Sequence, residues 1–250
     1  MQQLGLVGRS LGHSFSRDYF ARKFEREGLI DFRYDNFEFA SPGDLKGVFS
    51  IPRLLGFNVT IPYKRDIVPL LDGLSPDARD IGAVNTVVRT PSGWRGHNTD
   101  WLGFQLSLKR AGYRPRERSA AIVLGTGGAA AAVSYALKRL GVQVHAVSRT
   151  PSAKQLSYAQ ASGYPASAFD LVVNTTPLGT SPDSDAMPPF DVDVLGGRHL
   201  AVDLIYNPPE TKFLRRARAA GAQTLNGLPM LRLQAEAAWD IWKNALPSPT

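Results

Sequence analysis

Two spacings of hydrophobic and polar positions alternate along this chain and mark out a succession of short strands and helices. Apolar runs at Leu4–Gly8, Leu55–Ile61, Ala121–Leu124, Val142–Val147, Phe169–Asn174 and Leu200–Ile205 predict strands, most of them of the fully buried type. Phe32–Phe39 alternates as a half-buried strand does. Ala83–Arg89 and Trp94–His97 flank the turn residues Thr90-Pro91-Ser92-Gly93, which predicts a hairpin. Helical spacing runs from about Arg17 to Glu27, where Phe20 and Phe24 lie one turn apart and Gly28 stops the helix. It returns in Trp101–Ala111, which carries Trp101, Phe104 and Leu108 on one face, and in an Ala-rich stretch that Gly141 ends. The last helix spans about Pro229–Ala245, with Leu231, Ala238 and Trp242 on its apolar stripe. Pro62 predicts the start of a further helix after Ile61, and Pro208-Pro209 the start of an arginine-rich one that Gly221 stops. The segment around Ser41–Ile51 reads as a short connection. The charged linker Tyr113–Ser119, which contains Pro115, reads as a domain boundary.

The clearest local signal is the βαβ pattern over Ala120–Thr150. Its turn, Gly125-Thr126-Gly127-Gly128-Ala129-Ala130, fits G-x-G-x-x-A between a predicted strand and a predicted helix. Gly125 suits the tight turn, Gly127 lets a pyrophosphate approach the backbone, and the small Ala130 allows close helix–strand packing. The N–H groups at the helix start then face the phosphates. Ser119–Leu137 carries no charge and has the length of a membrane span, but its apolar residues are mostly alanine and the glycines interrupt it. At the end of the second strand an NAD site usually places Asp or Glu. Here stand Ser148-Arg149-Thr150, a cation and hydroxyls that suit the 2′-phosphate of NADP. As a purely structural alternative, Arg149 is a solvated loop charge.

Composition changes this picture little. Hydrophobic residues make up 43% of 250, enough for one large or two modest cores, and the formal net charge is +7. The cations are spread out, and the densest group, Arg114–Arg118 with Lys109 and Arg110, reads as a solvated loop. An anionic substrate and a phosphorylated cofactor account for the excess as well as nucleic acid would. The absence of cysteine excludes disulfides, thiolate catalysis and zinc–cysteine sites, and no metal is expected. No signal-peptide pattern is present, so a cytoplasmic protein without a membrane or nucleic-acid partner is expected.

Several polar residues stand where strands and helices meet. Ser16 sits where an N-cap belongs, whereas Ser14 has no such duty; two hydroxyls at a helix start suit a small carboxylate equally well. Lys64 falls in the first turn of the helix predicted at Pro62, where a cation opposes the macrodipole. A lysine so placed gives up its proton more readily and can exchange it near neutrality. The plain alternative is a solvated lysine balanced by Asp66. Asp100 fits an N-cap. Thr175-Thr176-Pro177 opens at a strand end, where open α/β sheets bind ligands. Gln234 lies on the apolar stripe of the last helix, as a satisfied core amide or a ligand contact.

Taken in order, Gly12-His13-Ser14-Phe15-Ser16, Asn58-Val59-Thr60-Ile61-Pro62-Tyr63-Lys64, Gly82-Ala83-Val84-Asn85-Thr86, Asn98-Thr99-Asp100, the glycine turn, Ser148-Arg149-Thr150, Asn174-Thr175-Thr176-Pro177 and Gly227–Gln234 resemble the shikimate dehydrogenase family from end to end. The resemblance implies an α/β protein of two domains with a cleft between them. A substrate domain would comprise residues 1–100 and 228–250, and a Rossmann-like NADP-binding domain residues 101–227, with the C-terminal helix returning to the first. It implies NADPH-dependent reduction of 3-dehydroshikimate to shikimate, in the biosynthesis of aromatic precursors, by a monomer or homodimer. Lys64 and Asp100 match the family's catalytic pair. Ser14 and Ser16 would hold the substrate carboxylate, and Asn58, Thr60, Asn85, Tyr206 and Gln234 would line the ring. The implied cofactor contacts are Gly125, Thr126, Gly127, Gly128, Ala129, Ser148, Arg149, Thr150, Asn174, Thr175, Thr176 and Gly227. The chain departs from the family at Ser10 and Arg17, where proline is common, and at Ala153, where an arginine often grips the 2′-phosphate and Lys154 follows one place later. A quinate/shikimate dehydrogenase working with NAD, or a dinucleotide-sensing module without catalysis, are the alternatives.

Overall fold

The structure is a computed structural model that describes residues 1–12 and 14–246; His13, in the predicted loop before the first helix, lies outside the described residues. The chain divides into two compact units, Met1–Thr99 with Ala235–Thr250, and Asp100–Gln234. The division falls at Asp100, not at the linker Tyr113–Ser119. The helix Trp101–Ala111 carries its apolar face, Phe104 and Leu108, into a core of the second unit, so the chain has already joined that unit before it reaches the linker.

In the first unit, strands β1 (Gln2–Gly8), β2 (Phe32–Glu38), β3 (Leu54–Val59), β4 (Gly73–Leu74), β5 (Thr86–Thr90) and β6 (Gly93–His97) form one sheet in the order β2-β1-β3-β5-β6-β4. β1 pairs in parallel with β2 and β3, whereas β5 runs antiparallel to β3 and to β6. The predicted hairpin closes with Thr90 opposite Gly93. Helix α1 (Phe15–Arg26) starts two residues earlier than its sequence suggests and ends before Gly28, whose φ of +67° is left-handed. The short strand β4 and the helix α2 (Pro76–Ile81) carry no predicted signal, and the connection around Ser41–Ile51 is a 3-10 helix over Pro42–Ser50.

The helix expected after Pro62 is absent: residues 61–67 form successive turns and a short 3-10 helix follows at Val68–Leu70. Only six residues separate Pro62 from Pro69, too few to recover the cost of nucleating a helix, and Pro69 could not sit inside one. Tertiary bonds hold the segment instead. The buried Tyr63 donates its hydroxyl to the Phe39 carbonyl, and the Lys64 carbonyl accepts from Val84 N at 2.8 Å. The macrodipole argument for Lys64 therefore has no helix behind it.

Two apolar clusters cover the two faces of this sheet. One gathers Leu4, Phe20, Phe24 and Tyr34 with Ala238, Trp239 and Trp242 of the last helix, α7 (Leu228–Asn244). The other holds Val7, Leu45, Val48, Phe57, Tyr63, Ile67 and Val87. Trp242 is fully buried and donates its indole N–H to Val87 O at 2.9 Å. Lys23 of α1 is buried as well and bonds Glu236 at 2.8 Å and Glu27 at 2.9 Å. Burial depresses its pKa, but the two carboxylates outweigh that and hold it above the ordinary lysine value.

The second unit is a five-stranded, wholly parallel sheet. Its elements are α3 (Asp100–Arg110), β7 (Ala120–Leu124), α4 (Gly128–Arg139), β8 (Gln143–Val147), α5 (Tyr158–Ser162), β9 (Leu171–Asn174), β10 (Leu200–Asp203), α6 (Lys212–Ala219) and β11 (Gln223–Leu225), with strand order β11-β10-β9-β7-β8. Strand residues alternate between two cores: Ile122, Val172 and Ala201 face one, Val123, Val173 and Val202 the other. Burial on both faces explains why these strands read as unbroken apolar runs. α6 begins at Lys212, not at Pro208-Pro209. Thr211 caps it, its Oγ1 accepting from Leu214 N at 3.3 Å. Among the described residues no helix is long and apolar enough to cross a membrane.

Candidate active site

Several of the expected site residues stand at strand ends in each unit, and others on helices or turns. In the first, β3 ends, antiparallel β5 begins and β6 ends along one edge, with Asn58 opposite Thr86 and Thr86 opposite His97. A chain of buried neutral polar groups runs along that edge. Tyr34 donates its hydroxyl to Asn58 Oδ1 at 2.8 Å, and Asn58 Nδ2 donates to Asn85 O and Thr86 Oγ1, both at 3.1 Å. Asn85 Oδ1 accepts from Thr99 N at 2.6 Å and Thr86 Oγ1 at 3.1 Å, and Asn85 Nδ2 donates to Thr99 Oγ1 at 2.9 Å. Asn98 Nδ2 donates to Ala83 O at 2.9 Å. Asn58 and Asn85 are thus each bonded from both ends of the amide, which fixes its direction.

The two serines exchange expected duties. Ser14 is the N-cap of α1, with extended backbone and an Oγ that accepts from Arg17 N at 3.2 Å. Ser16 lies inside the first turn, is buried, and hydrogen-bonds Tyr34. Burial pushes the Tyr34 phenol well above its usual value, and the Ser16 bond offsets part of this. Thr60 is half-buried just past β3 and donates its N–H to Val7 O at 2.9 Å. Lys64 is half-buried in the turns beyond. His97 is partly buried, and burial, with Arg95 nearby, lowers its pKa.

In the second unit the polar residues follow the C-terminal ends of the parallel strands, where open α/β sheets take ligands. Gly125 has φ of +110°, a region that glycine favours, and a Cβ there would meet Thr175 Oγ1 at 2.7 Å. Gly127 is the N-cap residue of α4. No side chain caps that helix, no acid stands in its first turn, and a Cβ on Gly127 would enter open space. Those features fit a dinucleotide phosphate at the Gly125–Ala129 turn, with Thr126 exposed and Gly128 and Ala129 half-buried behind it. Past β8, Ser148 is half-buried and its Oγ accepts from Thr150 N at 3.2 Å, leaving Arg149 and Thr150 exposed. No acid stands there, so this strand end fits a 2′-phosphate better than a ribose hydroxyl.

Three expected contacts have structural duties. Asn174 is fully buried; its Oδ1 accepts from Thr176 N at 2.9 Å and Thr176 Oγ1 at 2.7 Å, so it shapes the turn that presents Thr175 and Thr176. Thr175 donates its hydroxyl to Leu124 O at 2.6 Å. Gly227 allows backbone to meet backbone, since a Cβ there would lie 1.9 Å from Leu204 O. Asp100 is the first residue of α3 and is buried. Tyr206 follows β10, half-buried, and burial raises its pKa. Gln234 is buried on α7 and donates to Leu231 O at 2.9 Å. Asp203, Thr211, Tyr34, Thr86 and Thr99 complete these networks without having been expected to. Asp203 had one signal, a lone acid inside the otherwise apolar run Leu200–Ile205.

Residues 6–87 match the family model described as the shikimate dehydrogenase substrate binding domain. A Desulforamulus reducens protein named shikimate dehydrogenase (NADP(+)) is 38% identical over 96% of this chain and 89% of its own length. The crystal structure of a chorismate mutase/shikimate 5-dehydrogenase fusion protein from Clostridium acetobutylicum superposes with a TM-score of 0.87 at 37% identity, over 99% of this chain and 93% of that one. Shikimate 5-dehydrogenase from Thermus thermophilus, in complex with NADP(H) and shikimate, superposes with a TM-score of 0.84 at 35% identity, over 100% of this chain and 96% of that one. Similarity of this extent at both levels leaves one assignment: the chain belongs to the shikimate dehydrogenase family.

Proposed function

We propose that this protein catalyses the reversible, NADPH-dependent reduction of 3-dehydroshikimate to shikimate. The end-to-end similarity to NADP(+)-dependent shikimate dehydrogenases carries this reading. The uncapped start of α4, the open space at Gly127 and the exposed Arg149 support the cofactor it requires. When bound, NADPH supplies the hydride that reduces the carbonyl carbon. Lys64 exchanges the proton at the 3-oxygen and Asp100 orients it. Ser14 and Ser16 hold the carboxylate, while Asn58, Thr60, Asn85, Tyr206 and Gln234 line the ring and its hydroxyls. The fixed directions of Asn58 and Asn85 suit this, because a preset amide loses little freedom when it meets a hydroxyl. Arg149 faces the 2′-phosphate, and the turns at Gly125–Ala129 and Thr175-Thr176 receive the rest of the dinucleotide. In this reading the enzyme works in the cytoplasm on a small-molecule substrate.

Nicotinamide absorbance with shikimate, using NADP⁺ and then NAD⁺, tests the proposal directly. Rapid reduction of NADP⁺ is expected, with much slower reduction of NAD⁺. A purified protein that reduces neither would overturn it.

A further inference from the structure

Asp203 ends β10 with no exposure to solvent, and the chemistry proposed above makes no use of it. Its carboxylate joins three segments. Oδ1 accepts from Asn174 Nδ2 at 3.1 Å and from Ile205 N at 3.0 Å, and Oδ2 accepts from Thr211 Oγ1 at 2.7 Å. Asn174 ends β9 directly beside Asp203 in the ladder, and its Oδ1 holds both the N–H and the hydroxyl of Thr176. A reversed Asn174 amide would set its oxygen against the Asp203 carboxylate and its NH₂ against the Thr176 N–H. Asp203 therefore decides which way Asn174 faces, and through it the shape of the Thr175-Thr176 turn. Ile205 immediately precedes Tyr206, and its carbonyl accepts from Gly227 N at 3.0 Å. Thr211 caps α6.

We propose that Asp203 is a positioning residue that sets the Thr175-Thr176 turn for the dinucleotide and Tyr206 for the substrate, acting through Asn174 and Ile205. The proposal rests on the dehydrogenase reading of this site. Stability alone gives little reason to keep a carboxylate here, since burial raises its pKa to about 6 even with three donors around it. A strut for α6 would need only the Thr211 bond. Two carboxylate oxygens take all three donors at once, whereas an amide keeps Asn174 and Ile205 only by aiming its NH₂ at Thr211, whose hydroxyl already accepts from Leu214 N.

The experiment compares Asp203→Asn with Thr211→Val, reading the NADP⁺ Kd by fluorescence titration, KM for shikimate and for NADP⁺, and thermal stability. Thr211→Val should lower Tm and leave Kd and both KM values within about twofold, since it removes the cap and the Oδ2 bond but keeps both Oδ1 bonds, to Asn174 and Ile205. Asp203→Asn should raise Kd and KM for NADP⁺ on the order of tenfold, and KM for shikimate by less, without a matching loss of Tm. Should Asp203→Asn not fold, Asp203→Glu carries the same test, because it keeps the charge but moves the oxygens away from Asn174 and Ile205 while Asn174 and its bonds to Thr176 stay in place. Binding and kinetic constants unchanged from wild type in the variant that folds would overturn the inference. So would an Asp203→Asn protein that behaves like Thr211→Val, because Asp203 would then be a strut. A wild-type protein that neither binds NADP⁺ nor oxidises shikimate would instead overturn the dehydrogenase reading, and the inference with it.

Discussion

The two units meet the demands of recognition by different means. Along the polar edge of the first, neutral side chains are buried and bonded in series, from Tyr34 through Asn58, Thr86 and Asn85 to Thr99. In the second, the candidate cofactor region is made of backbone: a glycine at positive φ, a second one with open space where a Cβ would be, and a helix start without a side-chain cap. The fully buried acid Asp203 supports its turns from below. A small polyhydroxylated acid offers hydroxyls that only well-aimed side chains distinguish. A pyrophosphate is met well enough by N–H groups and room. Side-chain deletion should therefore be felt most in the first unit, and the addition of a single methyl in the second.

The largest expected effect is at Lys64. Lys64→Ala should lower kcat for shikimate oxidation by roughly 10²–10⁴-fold and change KM little, the range for loss of a proton-transfer group. Steady-state kinetics read this, and a fully active variant would remove Lys64 from the mechanism.

Next comes the pH dependence of Asp203. Its folded pKa of about 6 lies above the ordinary aspartate value of 3.8. Between those values the native state keeps a proton that the unfolded chain has lost. This group's contribution to stability thus falls as pH rises through the window, by roughly 3 kcal/mol in all. Asp203→Asn has no such term, so its stability relative to wild type should improve between about pH 4 and about pH 6.5. Urea unfolding of both proteins across that range checks it; a pH-independent difference would contradict the assigned burial effect.

Asn58→Ala should lower stability by about 1–3 kcal/mol, because it leaves the Tyr34 hydroxyl and the Thr86 side chain short of a buried partner. It should also raise KM for shikimate while leaving the Kd for NADP⁺ alone. An equal loss of both affinities would erase the contrast drawn between the units.

The smallest effects sharpen the contrast within one turn. Gly125→Ala forces a Cβ to within 2.7 Å of Thr175 Oγ1 at φ of +110°, and should destabilise by about 1–3 kcal/mol. Gly127→Ala meets nothing within 4 Å, so Tm should hardly move. Its methyl should nevertheless weaken NADP⁺ binding several-fold. Binding unaffected by Gly127→Ala would mean that the phosphates lie elsewhere.

What was legible in the sequence follows from the same contrast. The glycine turn could be read because backbone geometry dictates residue type at Gly125, and the flanking strands could be read because burial on both faces leaves unbroken apolar runs. The polar edge of the first unit is a tertiary arrangement. Nothing local marks Asn58 or Asn85, which only a resemblance singled out, and nothing at all pointed to Tyr34. Proline misled twice. Pro62 and Pro208-Pro209 have the right form for a helix start, but Pro69 follows too soon after the first, and Thr211 supplies the real cap after the second. Ser14 and Ser16 are two residues apart, and the choice of cap between them depended on a helix boundary that local spacing sets poorly.

The helix α7 has a consequence for how this protein is made. Its stretch from Ala235 onward counts with the first unit, whose core contains Ala238, Trp239 and Trp242 beside Leu4 and Phe20. A ribosome delivers Leu4 long before Trp242. During synthesis the second unit, one uninterrupted segment, has all its strands in hand before the first receives Trp239 and Trp242. The segment translated before the second unit is thus the one that must wait, holding Leu4, Phe20, Phe24 and Tyr34 without their partners until α7 emerges.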